Sequence, residues 1–249
     1  MGYTFRELTT HPLSKTVIMK TQSSFALICF IAAATIASSS ANAQITLGQV
    51  DDFTAVSDAG WSEGGASPNP PAHDSGLGLD GIAGHLSNTS DGAGAGGRWL
   101  MFNTDARWTG DYISAGVDQL LIDFDNRSGN GTAANFRVAF NGDGGWFISD
   151  DFIVADGAGW QQTSFDLNAL NHLAGGTGVL ADTLSTVNRF EILSSVSDTP
   201  NVAGSNVQGD NLVADFRIDN ISAVAAVPEP GSLALMLCGL TGLALRRRR

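Results

Sequence analysis

Residues 135–140 read Asn-Phe-Arg-Val-Ala-Phe, with large apolar side chains at 136, 138 and 140. Successive side chains of a β-strand point to opposite faces of a sheet. The spacing therefore predicts a strand with Phe136, Val138 and Phe140 on a core face and Arg137 on the wet face. The same period of two recurs on either side. In Val117–Phe124 (VDQLLIDF) it places Leu120, Ile122 and Phe124 together. Towards the C-terminus, Gly145–Val154, Trp160–Leu167, Phe190–Leu193 and Ala214–Ile221 read as further strands. Towards the N-terminus, Arg98–Phe102 and a first strand over Gln44–Phe53 complete the set. Turn residues (Gly, Asn, Asp, Ser) punctuate these runs, and only Leu170–Leu173 and Leu180–Val187 look helical. The expectation is an all-β chain, an antiparallel β-sandwich with one wet face per sheet. Pro68–Gly97 carries Pro70-Pro71 and many glycines, and reads as a long surface loop, or two loops around a short strand near Leu77–Ile82.

Outside this body the composition changes. Residues 1–43 read as a signal peptide. Lys20 supplies positive charge, Phe25–Ala37 is an apolar run too short to span a bilayer comfortably, and Ala41-Asn42-Ala43 offers small residues to a signal peptidase cutting before Gln44. Met19 opens this segment as an ordinary start would. Residues 44–226 form the expected domain, long enough to bury a core unaided. Between Gln44 and Val227 stand six arginines, no lysine, 21 aspartates and two glutamates, a formal charge of −17. So acidic a body repels phosphate backbones and argues against nucleic-acid binding. Both cysteines, Cys29 and Cys238, fall in the apolar ends, so the body has no disulfide, zinc-thiolate site or thiol nucleophile.

Residues 227–249 hold Pro228-Glu229-Pro230, then the apolar run Leu233–Leu245, then Arg246, Arg247, Arg248 and Arg249. At ~1.5 Å per residue that run covers about 20 Å, short of the ~30 Å hydrocarbon core. The arginines stop transfer and hold their end in the cytoplasm. Motif, apolar helix and arginine cluster in this order resemble the PEP-CTERM sorting signal. That resemblance implies transient anchoring in the inner membrane by the C-terminal hydrophobic helix. It further implies recognition of Pro228, Glu229 and Pro230 by an exosortase, and delivery to the surface of a Gram-negative bacterium that makes exopolysaccharide.

The order of segments in the body, closing on Phe216-Arg217-Ile218-Asp219-Asn220-Ile221 and including Gly159-Trp160 ahead of Phe165-Asp166-Leu167, resembles the galactose-binding-like jelly rolls. These include carbohydrate-binding modules and laminin IV-type modules. The resemblance implies a structural calcium ion tying the first strand to the last, here through Asp52 and Asp219. It also implies aromatic rings stacked on sugars. Of the five tryptophans, Trp61 and Trp108 sit in polar, turn-like contexts and are the expected exposed pair, whereas Trp99, Trp146 and Trp160 are expected in the core. The run Asp123–Gly129 fails the calcium-loop template, with Arg127 at a ligand position and Ser128 in place of glycine.

Catalytic motifs are missing: no His-Glu-x-x-His, Gly-x-Ser-x-Gly or phosphate loop occurs, and His73, His85 and His172 lack metal-ligand spacing. The reading is an exported, non-catalytic surface or matrix protein that binds exopolysaccharide. The alternative is an extracellular glycan hydrolase, which would need two carboxylates across a glycosidic bond.

Overall fold

The computed structural model describes residues 44–63, 67–93 and 97–226. The expected signal peptide and the expected sorting segment, with Pro228, Glu229, Pro230 and the four terminal arginines, lie outside the described residues.

The strands are β1 (Val50–Asp51), β2 (Ala72–Leu77), β3 (Ala83–Asp91), β4 (Leu100–Asn103), β5 (Gln119–Asn126), β6 (Ala134–Gly142) and β7 (Gly145–Ile148). They continue with β8 (Phe152–Val154), β9 (Gln161–Asp166), β10 (Asn171–Ala174), β11 (Arg189–Ser194), β12 (Val202–Ala203), β13 (Asn206–Val207) and β14 (Val213–Val224). Among the described residues two short α-helices, α1 (Tyr112–Ala115) and α2 (Leu180–Leu184), and a 3-10 turn over Leu167–Ala169 lie between them. The first sheet has the order β2-β3-β14-β5-β9, with β1 also on β14; the second has the order β10-β7-β6-β11-β4, with β8 also on β6. Pairing is antiparallel throughout. The chain is an antiparallel β-sandwich.

The predicted alternation builds the core. Leu120, Ile122 and Phe124 of β5 and Phe216 and Ile218 of β14 face Phe136, Val138 and Phe140 of β6 and Phe190 and Ile192 of β11, all buried. Burying each such side chain contributes about 2 kcal/mol. Phe124 stacks on Phe136 across the two sheets, with ring centroids 4.1 Å apart, and Trp99 sets its edge against Phe136 and Phe216.

Four expectations are corrected. Residues 68–97 are not mainly loop: β2 and β3 pair as a hairpin at the edge of the first sheet. Their outer face is polar, and the inward side of β3 mixes Gly84, Leu86, Asn88 and Ser90, so neither strand shows an apolar stripe. Residues 171–174 are strand β10 and not helix, because they complete the second sheet beside β7. The first strand shrinks to Val50–Asp51. Arg137 does lie on the outer side of β6 but is only 1% exposed. Its Nε donates to Ser195 O at 2.9 Å, Nη1 to Ser149 O at 2.9 Å and Nη2 to Asp198 Oδ1 at 2.6 Å, so three loop acceptors make burial of the guanidinium tolerable.

Candidate functional site

Trp61 and Trp108, expected to be exposed, are 2% and 0% exposed. Both indoles pack on Phe190. Their N–H groups donate to one buried carboxylate oxygen, Asp51 Oδ2, at 3.1 and 2.6 Å, and Arg107 pairs with Asp51 Oδ1. The polar turns around these tryptophans reflect partners for their N–H groups, not solvent. They are core residues and carry no ligand site. Trp160, expected in the core, is instead half-buried.

Asp52 and Asp219 do come near one another. Burial raises the Asp219 carboxyl to about 7, helped by the charges of Asp80, Asp123 and Asp52. The donor atoms do not make a calcium cage, however. Asp52 is exposed and its Oδ1 accepts from Thr54 N and Oγ1. Both Asp123 oxygens are engaged, by Gln162 and Asn220, and Asp219 Oδ1 accepts from Asn220 N. Among the described residues no group of three or more His, Cys, Asp or Glu side chains is placed to hold a metal ion. Calcium needs six or more oxygens converging at 2.3–2.6 Å, and these residues do not fit it.

The outer face of the second sheet offers better geometry. Its lower half is apolar: Leu100, Trp146, Ile148 and Leu193 form a second cluster, over which the small hairpin β12–β13 lies as a strap through Val202 and Val207. Glu191, fully buried in this face, accepts from Val207 N at 2.8 Å and pairs with Arg189 Nε at 2.7 Å. Arg189 also bonds Asn206 of the strap and lies 3.5 Å over the Phe102 ring. Burial raises the Glu191 carboxyl to about 7 against the pull of Arg189.

Where the strap ends, a cleft of about 230 Å³ opens, lined by Asn141, Trp146, Asn188, Arg189, Gly204 and Ser205. Trp146, Asn141 and Arg189 are direct cross-strand neighbours on β7, β6 and β11. At a strand spacing of ~4.8 Å this row spans about 10 Å. Trp146 is only 5% exposed, so the row offers the edge of an indole beside an amide and a guanidinium, with Asn188 and Ser205 at the rim. These groups bind hydroxyls and apolar ring faces and are poor at proton transfer. None of them was singled out from the sequence as a ligand residue. The register that aligns them is a tertiary property, although the residue types were visible.

A second cleft, of about 210 Å³, is lined by Asp150, Asp151 and Asp166 among others. These carboxylates accept from Asn171, Asn135 and Asn168 N respectively.

Residues 226–249 match the profile of the PEP-CTERM protein-sorting motif. No curated protein matches the chain. Solved structures with similar coordinates include a family 11 carbohydrate-binding module of Clostridium thermocellum, solved with a β-1,3-1,4-mixed-linked tetrasaccharide (14% identity, 74% of this chain and 99% of that one, TM-score 0.48). Others are an exo-β-agarase (12%, 74% and 25%, TM-score 0.49) and the N-terminal cellulose-binding domain of Cellulomonas fimi β-1,4-glucanase C (11%, 74% and 98%, TM-score 0.39). The chain is thus an antiparallel β-sandwich that carries a PEP-CTERM protein-sorting motif over residues 226–249.

Proposed function

We propose that this protein is exported, sorted by an exosortase through Pro228-Glu229-Pro230, and retained at the cell surface or in its matrix, where the sandwich binds polysaccharide without catalysis. The sorting motif supports the address. Ile45, the second residue of the chain expected after cleavage before Gln44, is buried. The observation that carries the binding reading is the Trp146–Asn141–Arg189 row in an open cleft. Sugars are recognised by an apolar ring against their C–H faces and by planar polar groups against their hydroxyls. The acidic body favours neutral over acidic polymers.

Two experiments test this. In affinity electrophoresis through a gel containing the producing cell's exopolysaccharide, the wild type is retarded. Asn141→Ala combined with Asn188→Ala weakens retention about tenfold or more, since each lost hydrogen bond costs about 1 kcal/mol. Equal mobility of the two proteins, or no retardation of either, would remove the cleft as the site. For sorting, alanine at Pro228, Glu229 and Pro230 together leaves the protein in the inner-membrane fraction. Normal release of that variant would refute the exosortase route.

A further inference from the structure

The opposite face of the sandwich, the outer side of the first sheet, has a different character. It is polar, yet three of its side-chain atoms are buried with no hydrogen-bond partner in the protein: His85 Nε2, Asp125 Oδ1 and Arg217 Nε. Two of them are direct neighbours in the sheet, and His85 lies on β3 two residues from Ser87, which opposes Arg217. Asp125 on β5 opposes Arg217 on β14, and His85 on β3 opposes Asp74 on β2. His85 and Asp125 are fully buried. Against His85 lies Trp160, the half-buried tryptophan. Its ring meets His85 edge-on with centroids 5.4 Å apart, and its Nε1 donates to Leu77 O at 3.2 Å. The β2–β3 turn closes the other side. It passes so near the sheet that a Cβ on Gly78 would stand 1.8 Å from Asp219 Oδ2, and one on Gly76 2.9 Å from His85 Cε1.

The bonding on this face has a definite gap. His85 Nδ1 faces the Gly76 carbonyl at 3.2 Å, and a carbonyl only accepts, so Nδ1 carries the hydrogen. Burial lowers the His85 pKa and keeps the ring neutral, which leaves Nε2 a lone pair. That lone pair looks at Asp74 Oδ2, another acceptor, 3.5 Å away. Asp125 Oδ1 is a third acceptor, because Arg127 binds only its Oδ2. Arg217 Nε is a donor with nothing to bond, and its Nη2 stays 3.9 Å from Asp74. Whatever completes this face must donate to the acceptors and also accept from the arginine. A cation would serve the carboxylates and repel Arg217, and an anion would do the reverse. Hydroxyl groups do both.

We propose that the polar face beneath Trp160 is a second ligand site, which takes a neutral saccharide unit. Adjacent hydroxyls bridge His85, Asp74, Asp125 and Arg217, and the indole covers the apolar ring face. The long Trp160–Leu77 hydrogen bond is the latch that yields on entry. With a site on each outer face, the sandwich can link two polymer chains. This inference shares the ligand class of the polysaccharide reading but stands on different residues.

The test uses the indole N–H signals of the uniformly ¹⁵N-labelled protein, one per tryptophan, with that of Trp160 identified by Trp160→Phe. The probes are cellotetraose, xylotetraose, mannotetraose and agarotetraose. The expected result is a saturable shift of the Trp160 signal with at least one probe. Affinities of the variants are read by isothermal titration calorimetry, because Trp160→Ala lacks the reporter signal, and loss of the stacked ring in that variant weakens binding about tenfold. Arg217→Lys, which keeps the charge but removes the Nε donor, weakens it by a similar factor, and it decides the matter if Trp160→Ala does not fold. A Trp160 signal that stays still with every probe overturns the proposal and assigns the unbonded atoms to ordered water only. Movement of the Trp146 signal alone does the same while leaving the cleft intact. Movement of Trp160 alone supports the proposal and counts against the cleft. Unchanged affinity in both variants also overturns it.

Discussion

Replacing Asp51 by asparagine is expected to destabilise the fold by about 2–3 kcal/mol, the scale of a lost charge-assisted hydrogen bond in a buried corner whose charged partner, Arg107, is 40% exposed. Asp51 is 4% exposed. Its carboxylate collects the indole N–H groups of Trp61 and Trp108 on one oxygen and Arg107 on the other. Three donors converge on it, and a carboxylate can accept from all of them. An amide of the same shape can turn its carbonyl to the indoles, but it then sets its own NH₂ against the guanidinium. The damage spreads, because both tryptophans pack on Phe190 and Asp51 also anchors β1 to the central strand β14. For a domain of this size the loss corresponds to a fall in Tm of up to about 8 °C. The measurement is urea and thermal unfolding of Asp51→Asn beside Asp52→Asn, whose side chain is exposed. The neighbour is expected to stay within about 0.5 kcal/mol of the wild type. Should Asp51→Asn melt with the wild type, Asp51 is not the support of this corner.

That corner also shows what a linear reading lacks. The strands with one apolar face, β5, β6, β11 and β14, were legible because their inward side chains are large and regularly spaced. So was the grouping of Leu120, Ile122 and Phe124 on one face. The β2–β3 hairpin was hidden because its wet face carries the polar residues of a buried network, including Asp74 and His85. Trp61 and Trp108 were misplaced for a related reason. Polar neighbours normally mean solvent, but here they sit beside indoles whose N–H groups reach a carboxylate that is 57 residues from Trp108 in the chain. Arg137 repeats the pattern, since an outward side chain is buried once loops supply its acceptors. The candidate cleft was illegible because Trp146, Asn141 and Arg189 meet only through the register of β7, β6 and β11. The sorting motif depends on contiguous residues alone and could be read directly.

The strap gives the second large effect, and it depends on pH. Glu191 is fully buried, and burial raises its pKa from the ordinary 4.5 to about 7, with Arg189 opposing the rise. The native chain therefore holds a proton that the unfolded chain has released between pH 4.5 and 7. Stability contributed by this group is full below pH 4.5, declines as pH rises, and above pH 7 is lower by about 3 kcal/mol. Glu191→Gln cannot ionise, yet its side-chain carbonyl can still accept from Val207 N. Its stability relative to the wild type should thus climb by about 3 kcal/mol from pH 4.5 to pH 8, or about 8 °C in Tm. Asp219, also raised to about 7, acts in the same direction, and His85, whose pKa is lowered, acts in the opposite one. Both are present in each protein and cancel in the difference curve, which is why the difference is the quantity to measure. Parallel pH profiles would mean that Glu191 is ionised throughout and held by Arg189 alone. A local readout separates the strap from the whole fold. The Val207 amide hydrogen, bonded to Glu191, is expected to lose protection above pH 7 in the wild type once intrinsic exchange is allowed for. In Glu191→Gln its protection should stay constant, because the carboxylate that gains most from reaching water is then gone.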